Sequence, residues 1–177
     1  TSPAAAELEE IELHQLYGFL SIPYQCEGVI QDTASTATLA AILTAREKAT
    51  DHTSNFKGVP QGMRIYGSIN THSSIDKAVA ISGVGRDNYI KIPVDEYGKM
   101  EVGALEKAIL TDLNKGMRPF CVVATIGTTG TLAVDPISQI GEICRKYDIW
   151  LPVDAAYAGT ALLLEEFKWM AEGLDKA

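Results

Sequence analysis

An aspartate stands at the end of an apolar run, and small residues follow it directly. The run 149–153 predicts a strand with Asp154 at its tip, and Ala155 and Ala156 come next. A carboxylate there can hold a protonated ring nitrogen, and Ala156 can lie under the face of the ring. Asp154 therefore indicates a site for a flat, cationic ring, although an Asp in this place can also cap a local turn.

Hydroxyl-bearing and small residues cluster at 31–38, where the second helix is predicted to begin. Free backbone N–H groups and the helix dipole at such a start favour an anion such as a phosphate. Thr33 and Ser35, on either side of Ala34, could add hydroxyl donors. Ordinary N-capping by Thr or Ser produces the same pattern, so both interpretations stand.

Two further polar segments follow predicted strands. His72, in the segment 71–77, could stack on an aromatic cofactor and approach a substrate, or could simply cap a helix. The loop 127–131 contains glycines that let a ligand come close, and threonines, among them Thr129, that offer hydroxyls. An ordinary strand-to-helix connection would explain this loop equally well.

The elements that must position these residues alternate between strands and helices. Helices are predicted over 4–20, 35–49, 73–82, 102–114, 136–147 and 165–172, strands over 63–69, 88–94, 119–126 and 149–153, a connection over 21–32 and a polar loop over 51–62. Such alternation, with strands that are apolar on both faces, predicts one α/β domain whose largely parallel sheet is covered on both sides. Ligands of such sheets bind at the carboxyl ends of the strands, so we expect the polar segments to meet in one cleft.

Charge and composition argue against several kinds of binding partner and indicate the cellular compartment. The net charge of −8 argues against nucleic acid or an anionic membrane as the main partner. No apolar run reaches the ~18 residues of a membrane span. The widely spaced Cys26, Cys121 and Cys144 form no metal-binding pattern and suit free thiols in the cytoplasm. The sequence begins without Met, which suggests a processed or truncated start.

The order of these segments resembles the group II pyridoxal-phosphate-dependent amino acid decarboxylases, and in particular their aromatic-L-amino-acid branch. The resemblance covers nearly all 177 residues. The segments that carry it are residues 2–3 together with 7–9, and residues 28–39, 72–74, 123–129 and 148–159. It implies a three-layer, mostly parallel α/β fold, the fold type I large domain of pyridoxal-phosphate enzymes. Residues 1–177 would be the central part of that domain, incomplete and without the small C-terminal domain. The resemblance also implies an aromatic L-amino acid as substrate, with glutamate and histidine as alternatives, decarboxylation to the amine and CO₂, and a homodimer.

The resemblance assigns roles to individual residues. Ala34 and Ser35 would hold the cofactor phosphate, with Thr33 nearby. His72 would stack on the pyridine ring near the substrate carboxylate, and Thr129 would support it. Asp154 would keep the ring nitrogen protonated so that the ring acts as an electron sink. Ala156 would pack against the ring. His72 and Asp154 would thus be the catalytic residues.

The sequence also departs from the family pattern. Pro152 stands where relatives often carry His, and its missing N–H suggests an edge strand or a local bend. Asp32 and Thr36 differ from the commonest phosphate loop. The family's Asn-x-x-Pro-His-Lys segment, which carries the cofactor lysine, does not occur. Lys168 and Lys176, the only lysines after Asp154, lack that context and are predicted to lie on the surface.

The sequence leaves two alternatives open and excludes a third. A chain without that lysine is expected to be inactive alone, so it could be a non-catalytic assembly or binding module. Another fold type I enzyme, a lyase or an aminotransferase, would share the fold and the Asp. A nicotinamide-binding fingerprint fails, because the pair Gly83 and Gly85 lacks its third glycine, which Asn88 replaces, and follows a helix.

Overall fold

Strands and helices alternate along the chain, as the hydrophobic pattern predicts. The computed structural model describes residues 2–20 and 26–177. In that part, the helices are α1 Pro3–Leu20, α2 Ala34–Ala49, α3 Ser54–Lys57, α4 Ser73–Ile81, α5 Val102–Asn114 and α6 Ile137–Lys146, and the strands are β1 Met63–Ser68, β2 Tyr89–Ile92, β3 Arg118–Thr125 and β4 Val153–Asp154. Short 3-10 segments cover Arg86–Asn88, Gly159–Leu163, Glu165–Ala171 and Leu174–Lys176.

The four strands form one parallel sheet in the order β2-β1-β3-β4. β1 pairs with β2 on one side and with β3 on the other, with Ile65 opposite Tyr89 and Cys121. At the far end of β3, Thr125 lies opposite Asp154 of β4. The predicted parallel sheet is confirmed.

Helices cover both faces of the sheet, because alternate residues of each strand point to opposite faces. On one face, Cys121 and Val123 belong to a buried cluster with residues of α2 and α4. On the other, Val122 and Ala124 pack with residues of α5 and α6. Burying one Val or Ile side chain contributes about 1.5–3 kcal/mol, so the two clusters hold the three layers together. The predicted three-layer α/β fold is confirmed.

The chain reverses direction across the sheet after β2. It passes outward from β1 to β2 through α4, then returns past β1 to β3 through α5 and on to β4 through α6. Crossovers between parallel strands are right-handed, so connections that run in opposite directions place their helices on opposite faces. The reversal therefore leaves a crevice between the carboxyl ends of β1 and β3, the usual ligand site of doubly wound sheets.

Pro152 shortens the last strand. The prediction placed it at 149–153, whereas only Val153–Asp154 forms a regular strand. Trp150 still pairs with β3, since its N–H donates to the Phe120 carbonyl oxygen at 3.0 Å. Pro152 has no N–H, so it accepts from Ala124 at 3.1 Å but donates nothing. β4 is also the edge of the described sheet, as the proline predicts.

Other boundaries differ from the prediction in small ways. The loop 51–62 was predicted without structure, but Ser54–Lys57 forms one helical turn whose Ser54 hydroxyl donates to Glu47. The last predicted helix, 165–172, is instead the 3-10 segment Glu165–Ala171. Pro136 is the N-cap of α6 and not its first residue. Of the predicted connection 21–32, residues 21–25 lie outside the described part.

Candidate functional site

The predicted site residues meet at the carboxyl edge of the sheet. A cavity of about 190 Å³ lies there, in the crevice between the ends of β1 and β3. It is lined by Ala34, Ser35, His72, Ser74, Thr125, Gly127, Thr129, Asp154, Ala156 and Tyr157. All the predicted site residues except Thr33 line it. A second cavity of about 220 Å³ shares Ala34, Asp154 and Ala156 with it.

The first turn of α2 forms one wall of the cavity. Thr33 does not face the cavity, because its hydroxyl caps the helix and accepts from the Thr36 N–H at 3.2 Å. Helix geometry leaves the N–H groups of Ala34 and Ser35 without partners inside the helix. The simpler interpretation of this segment, N-capping, therefore holds for Thr33. The N–H groups of Ala34 and Ser35 in the same turn still form a surface that suits an anion.

The two unusual residues of this segment contact each other. The Thr36 hydroxyl donates to Asp32 Oδ1 at 2.5 Å and lies 3.1 Å from the Thr33 hydroxyl. The Thr33 N–H in turn donates to Thr36 at 3.2 Å, which completes a capping box. Asp32 and Thr36 therefore act together as a cap, and the start of α2 is well defined despite the departure from the family pattern.

His72 follows β1 and caps α4. Its Nδ1 accepts from the Ser74 N–H at 3.2 Å and lies 2.9 Å from the Ser74 hydroxyl. Because Nδ1 accepts, the proton of the neutral ring lies on Nε2. The ring is exposed and lines the cavity, so His72 both caps a helix and faces the candidate site.

A buried tyrosine holds the turn that precedes His72. The Tyr89 hydroxyl, on β2, donates to Thr71 Oγ1 at 3.0 Å, and the Thr71 hydroxyl donates to the Ser68 carbonyl oxygen. Burial raises the pKa of Tyr89, so its hydroxyl stays protonated as a donor. The turn is thereby tied to the neighbouring strand, and His72 begins α4 at a defined position.

Asp154 ends β4, where it is partly exposed and lines both cavities. Its Oδ1 accepts from the Ala156 N–H at 3.0 Å. Asp154 therefore does cap a local turn, as the simpler interpretation holds. A carboxylate has about four acceptor positions, so this contact leaves room for a ring N–H.

A buried aspartate fixes the end of β3. Asp135 accepts from the Thr125 N–H at 2.9 Å and from the Met100 N–H at 2.8 Å. Its own N–H donates to the Thr125 carbonyl oxygen at 2.9 Å. Burial raises the pKa of Asp135, while the two N–H donors act against that rise. Asp135 thus holds the backbone of Thr125 in place at the base of the cavity.

The loop after β3 brings backbone close to the segment after β4. Gly127 has φ of +81° and lines the cavity. A Cβ on Gly127 would lie 2.6 Å from the Cβ of Ala158. Next to it, the Thr128 hydroxyl pairs with Thr131 at 2.7 Å, while Thr129 is exposed and faces the cavity. Glycine at 127 is therefore required both by conformation and by space.

The cavity includes four residues that lie in the segments carrying the resemblance but were given no individual role, namely Ser74, Thr125, Gly127 and Tyr157. Gly127 lay inside a predicted polar loop, and Ser74 and Tyr157 each lie close to a predicted site residue. Thr125 could have been found from its position at the end of an apolar strand, since such ends face the ligand edge of a parallel sheet.

The described part of the chain contains neither a membrane-spanning helix nor a metal-binding cluster of side chains. Across residues 2–20 and 26–177, no helix is long and apolar enough to cross a membrane. In the same ranges, no group of three or more His, Cys, Asp or Glu side chains could hold a metal ion.

Comparison with known proteins identifies a family. A family model described as the pyridoxal-dependent decarboxylase conserved domain matches residues 1–177. Tyrosine decarboxylase 2 of Arabidopsis thaliana is 42% identical over 186 residues, covering 100% of this chain and 34% of that protein. Aromatic-L-amino-acid decarboxylase of Bos taurus is 38% identical over 190 residues, covering 99% of this chain and 38% of that protein.

A solved structure agrees with these relatives. The crystal structure of Catharanthus roseus tryptophan decarboxylase in complex with L-tryptophan superposes with a TM-score of 0.90 at 34% identity. The match covers 99% of this chain and 39% of that one. The chain thus spans between 34% and 39% of the lengths of these three proteins.

The geometry at Gly127 predicts a local destabilisation. Gly127→Ala should lower the free energy of unfolding by more than about 1 kcal/mol, because the residue has positive φ and its Cβ would collide with Ala158. Chemical denaturation measures this change. Gly103→Ala, in α5 with open space around its Cβ, is the matched control and should stabilise by up to about 1 kcal/mol. Equal effects of the two substitutions would contradict the predicted packing.

Proposed function

Because the chain belongs to the pyridoxal-dependent decarboxylase family, we propose that its cavity binds pyridoxal 5'-phosphate and that the intact enzyme, of which residues 1–177 form a part, decarboxylates an aromatic L-amino acid to the amine and CO₂. The names of the relatives support the reaction, since they are tyrosine and aromatic-L-amino-acid decarboxylases. The observation that carries the proposal is the meeting of Asp154, His72 and the first turn of α2 around one cavity.

The residues present fit this cofactor at both of its ends. The first turn of α2 offers the Ser35 side chain and two N–H groups that have no partner inside the helix, which suit a phosphate. Asp154 offers a carboxylate, which suits a protonated pyridine nitrogen. Gly127 lets backbone approach the ligand, and Ala156 presents only a methyl group to a flat ring.

The chain's own side chains would then prepare the site for reaction. Bound pyridoxal phosphate supplies an electron sink for the electrons left by the departing CO₂. Asp154 keeps a proton on the ring nitrogen, because the ion pair favours the charged form of the ring. His72, with its proton on Nε2 when neutral, would stack on the ring and orient the substrate carboxylate, with Thr129 as its support. Ala156 would pack against the ring face on its side.

The lysines of the described residues lie elsewhere. None of the residues that line the cavity is a lysine. Lys168 pairs with Glu165 at 2.5 Å, and Lys176 donates to the Ser138 hydroxyl at 2.9 Å and to Glu142 at 3.0 Å. We therefore propose that residues 1–177, as the central part of the large domain, bind the cofactor without a covalent bond. The same observation favours the second candidate, a non-catalytic module that keeps the cofactor fold.

The role of Asp154 can be tested with pyridoxamine 5'-phosphate, which has no aldehyde and cannot react with surface lysines. Asp154→Asn should weaken its binding by roughly tenfold or more, because a charge-assisted hydrogen bond to the ring nitrogen is lost. Isothermal titration of the full chain measures the affinity. Asp148→Asn, at the other end of the same segment, is the control and should leave affinity unchanged. Equal affinity of Asp154→Asn and the unsubstituted chain would refute the proposed site.

Covalent trapping tests whether the chain binds the cofactor without a covalent bond. Incubation with pyridoxal 5'-phosphate followed by borohydride should label surface lysines in a scattered pattern, because no described lysine lines the cavity. Peptide mass spectrometry locates the labels, and the unfolded chain provides the reference pattern. Stoichiometric labelling of one lysine would instead show covalent cofactor chemistry in this chain and count against the non-catalytic module.

We further propose that the chain self-associates, as a homodimer or a larger assembly. α1 has no buried residue, and its Leu8 and Phe19 are 57% and 60% exposed. Apolar surface of this kind is normally covered by a partner. Sedimentation velocity should show species larger than a monomer, and Leu8→Glu with Phe19→Glu should shift them toward the monomer. A monomer at all concentrations would contradict this proposal.

We also propose a cytoplasmic location. The structure records Cys26, Cys121 and Cys144 as free thiols, which suits a reducing compartment. Fractionation that finds the protein in an oxidising compartment would overturn this assignment.

A further inference from the structure

The Thr125 hydroxyl is a buried polar group without a partner at the base of the cavity. Thr125 is 4% exposed, and its Oγ1 has no hydrogen-bond partner in the described part of the chain. The backbone of the same residue is fully engaged, since Asp135 bonds both its N–H and its carbonyl oxygen. The side chain is therefore held at a fixed place with its one polar atom unused.

Other buried threonines of the described residues behave differently. The Thr128 hydroxyl pairs with Thr131 at 2.7 Å and accepts from the Ala133 N–H at 3.0 Å. The Thr50 hydroxyl donates to the Arg46 carbonyl oxygen at 2.9 Å, and that of Thr71 donates to Ser68. Buried hydroxyls are normally satisfied because an unpaired one loses its hydrogen bonds to water without replacement. Thr125 is the exception, and it lines the candidate site.

The position of Thr125 beside Asp154 indicates what could satisfy it. The two residues are register partners on adjacent parallel strands, which lie about 4.7–4.9 Å apart. Both line the same cavity. A flat heteroaromatic ring whose nitrogen meets the Asp154 carboxylate would therefore have its edge within reach of the neighbouring strand end, where the Thr125 hydroxyl lies.

We infer that Thr125 is a further ligand-binding residue of this cavity, whose side-chain hydroxyl is satisfied by a polar substituent of the bound pyridine ring, such as its hydroxyl group. This inference rests on the proposed function, because it requires the ring to lie at Asp154. The Thr125 hydroxyl would contribute to the affinity for the ring but not to the stability of the ligand-free chain. In the absence of a ligand the hydroxyl costs stability, whereas with the ring in place it gains a hydrogen bond.

Two substitutions separate the hydroxyl from the methyl group of this side chain. Thr125→Val keeps the shape and removes the hydroxyl, so the ligand-free chain should be as stable as the unsubstituted chain or more stable. Its affinity for pyridoxamine 5'-phosphate should fall roughly three- to tenfold. Thr125→Ser keeps the hydroxyl and removes a buried methyl group, so the affinity should stay within about twofold while the stability falls.

Thr128→Val is the matched control for a buried threonine whose hydroxyl is paired. It should lower the stability of the ligand-free chain, because the Ala133 N–H loses its acceptor. Thermal unfolding of the ligand-free chains and titration with pyridoxamine 5'-phosphate provide the two readouts. A merely structural Thr125 would behave like Thr128 and lose stability when changed to Val.

The outcomes distinguish this inference from the proposed function. If Asp154→Asn weakens binding but Thr125→Val binds as tightly as the unsubstituted chain, the inference fails and the proposed function stands. If the unsubstituted chain does not bind pyridoxamine 5'-phosphate, the proposed function and the inference fail together. Loss of affinity in Thr125→Val, with stability retained and Thr125→Ser unaffected in binding, supports the assignment.

Discussion

The parallel pairing of β3 with β1 on one side and β4 on the other is the constraint on which the candidate site depends. All three strands end at the same edge of the sheet, so the segments that follow them must meet there. His72 comes after β1, Gly127 and Thr129 come after β3, and Asp154 ends β4. Residues far apart in sequence thus line one small cavity because the strands that precede them end at the same edge.

A buried aspartate holds the end of β3 in place. Asp135 is 2% exposed and binds both backbone groups of Thr125 together with the Met100 N–H. Hydrogen bonds to a charged acceptor are stronger than those between neutral groups, which helps to offset the cost of burying the carboxylate. The stiffness of this strand end matters because the cavity floor and the loop through Thr129 both start from it.

The departures from the family pattern are local and largely compensated. Asp32 and Thr36 hydrogen-bond to each other and complete the cap of α2, so the start of that helix is preserved. Pro152 removes a donor from the ladder, but β4 is at the edge and keeps its register with β3. Neither change moves Asp154 away from the cavity. Membership of the pyridoxal-dependent decarboxylase family is therefore compatible with the geometry around these unusual residues.

The sequence by itself indicated the order of the elements, the parallel sheet and six of the residues that line the cavity, because apolar strands, helix starts and strand ends are local patterns. Only the tertiary structure decided the strand order, which sets the crevice between β1 and β3. It also showed that the Thr33 hydroxyl is used by the helix cap, while the Thr125 hydroxyl is left without a partner at the cavity. Hydroxyl groups look alike in a sequence, and what distinguishes them is which acceptors and donors the folded chain places within hydrogen-bonding distance.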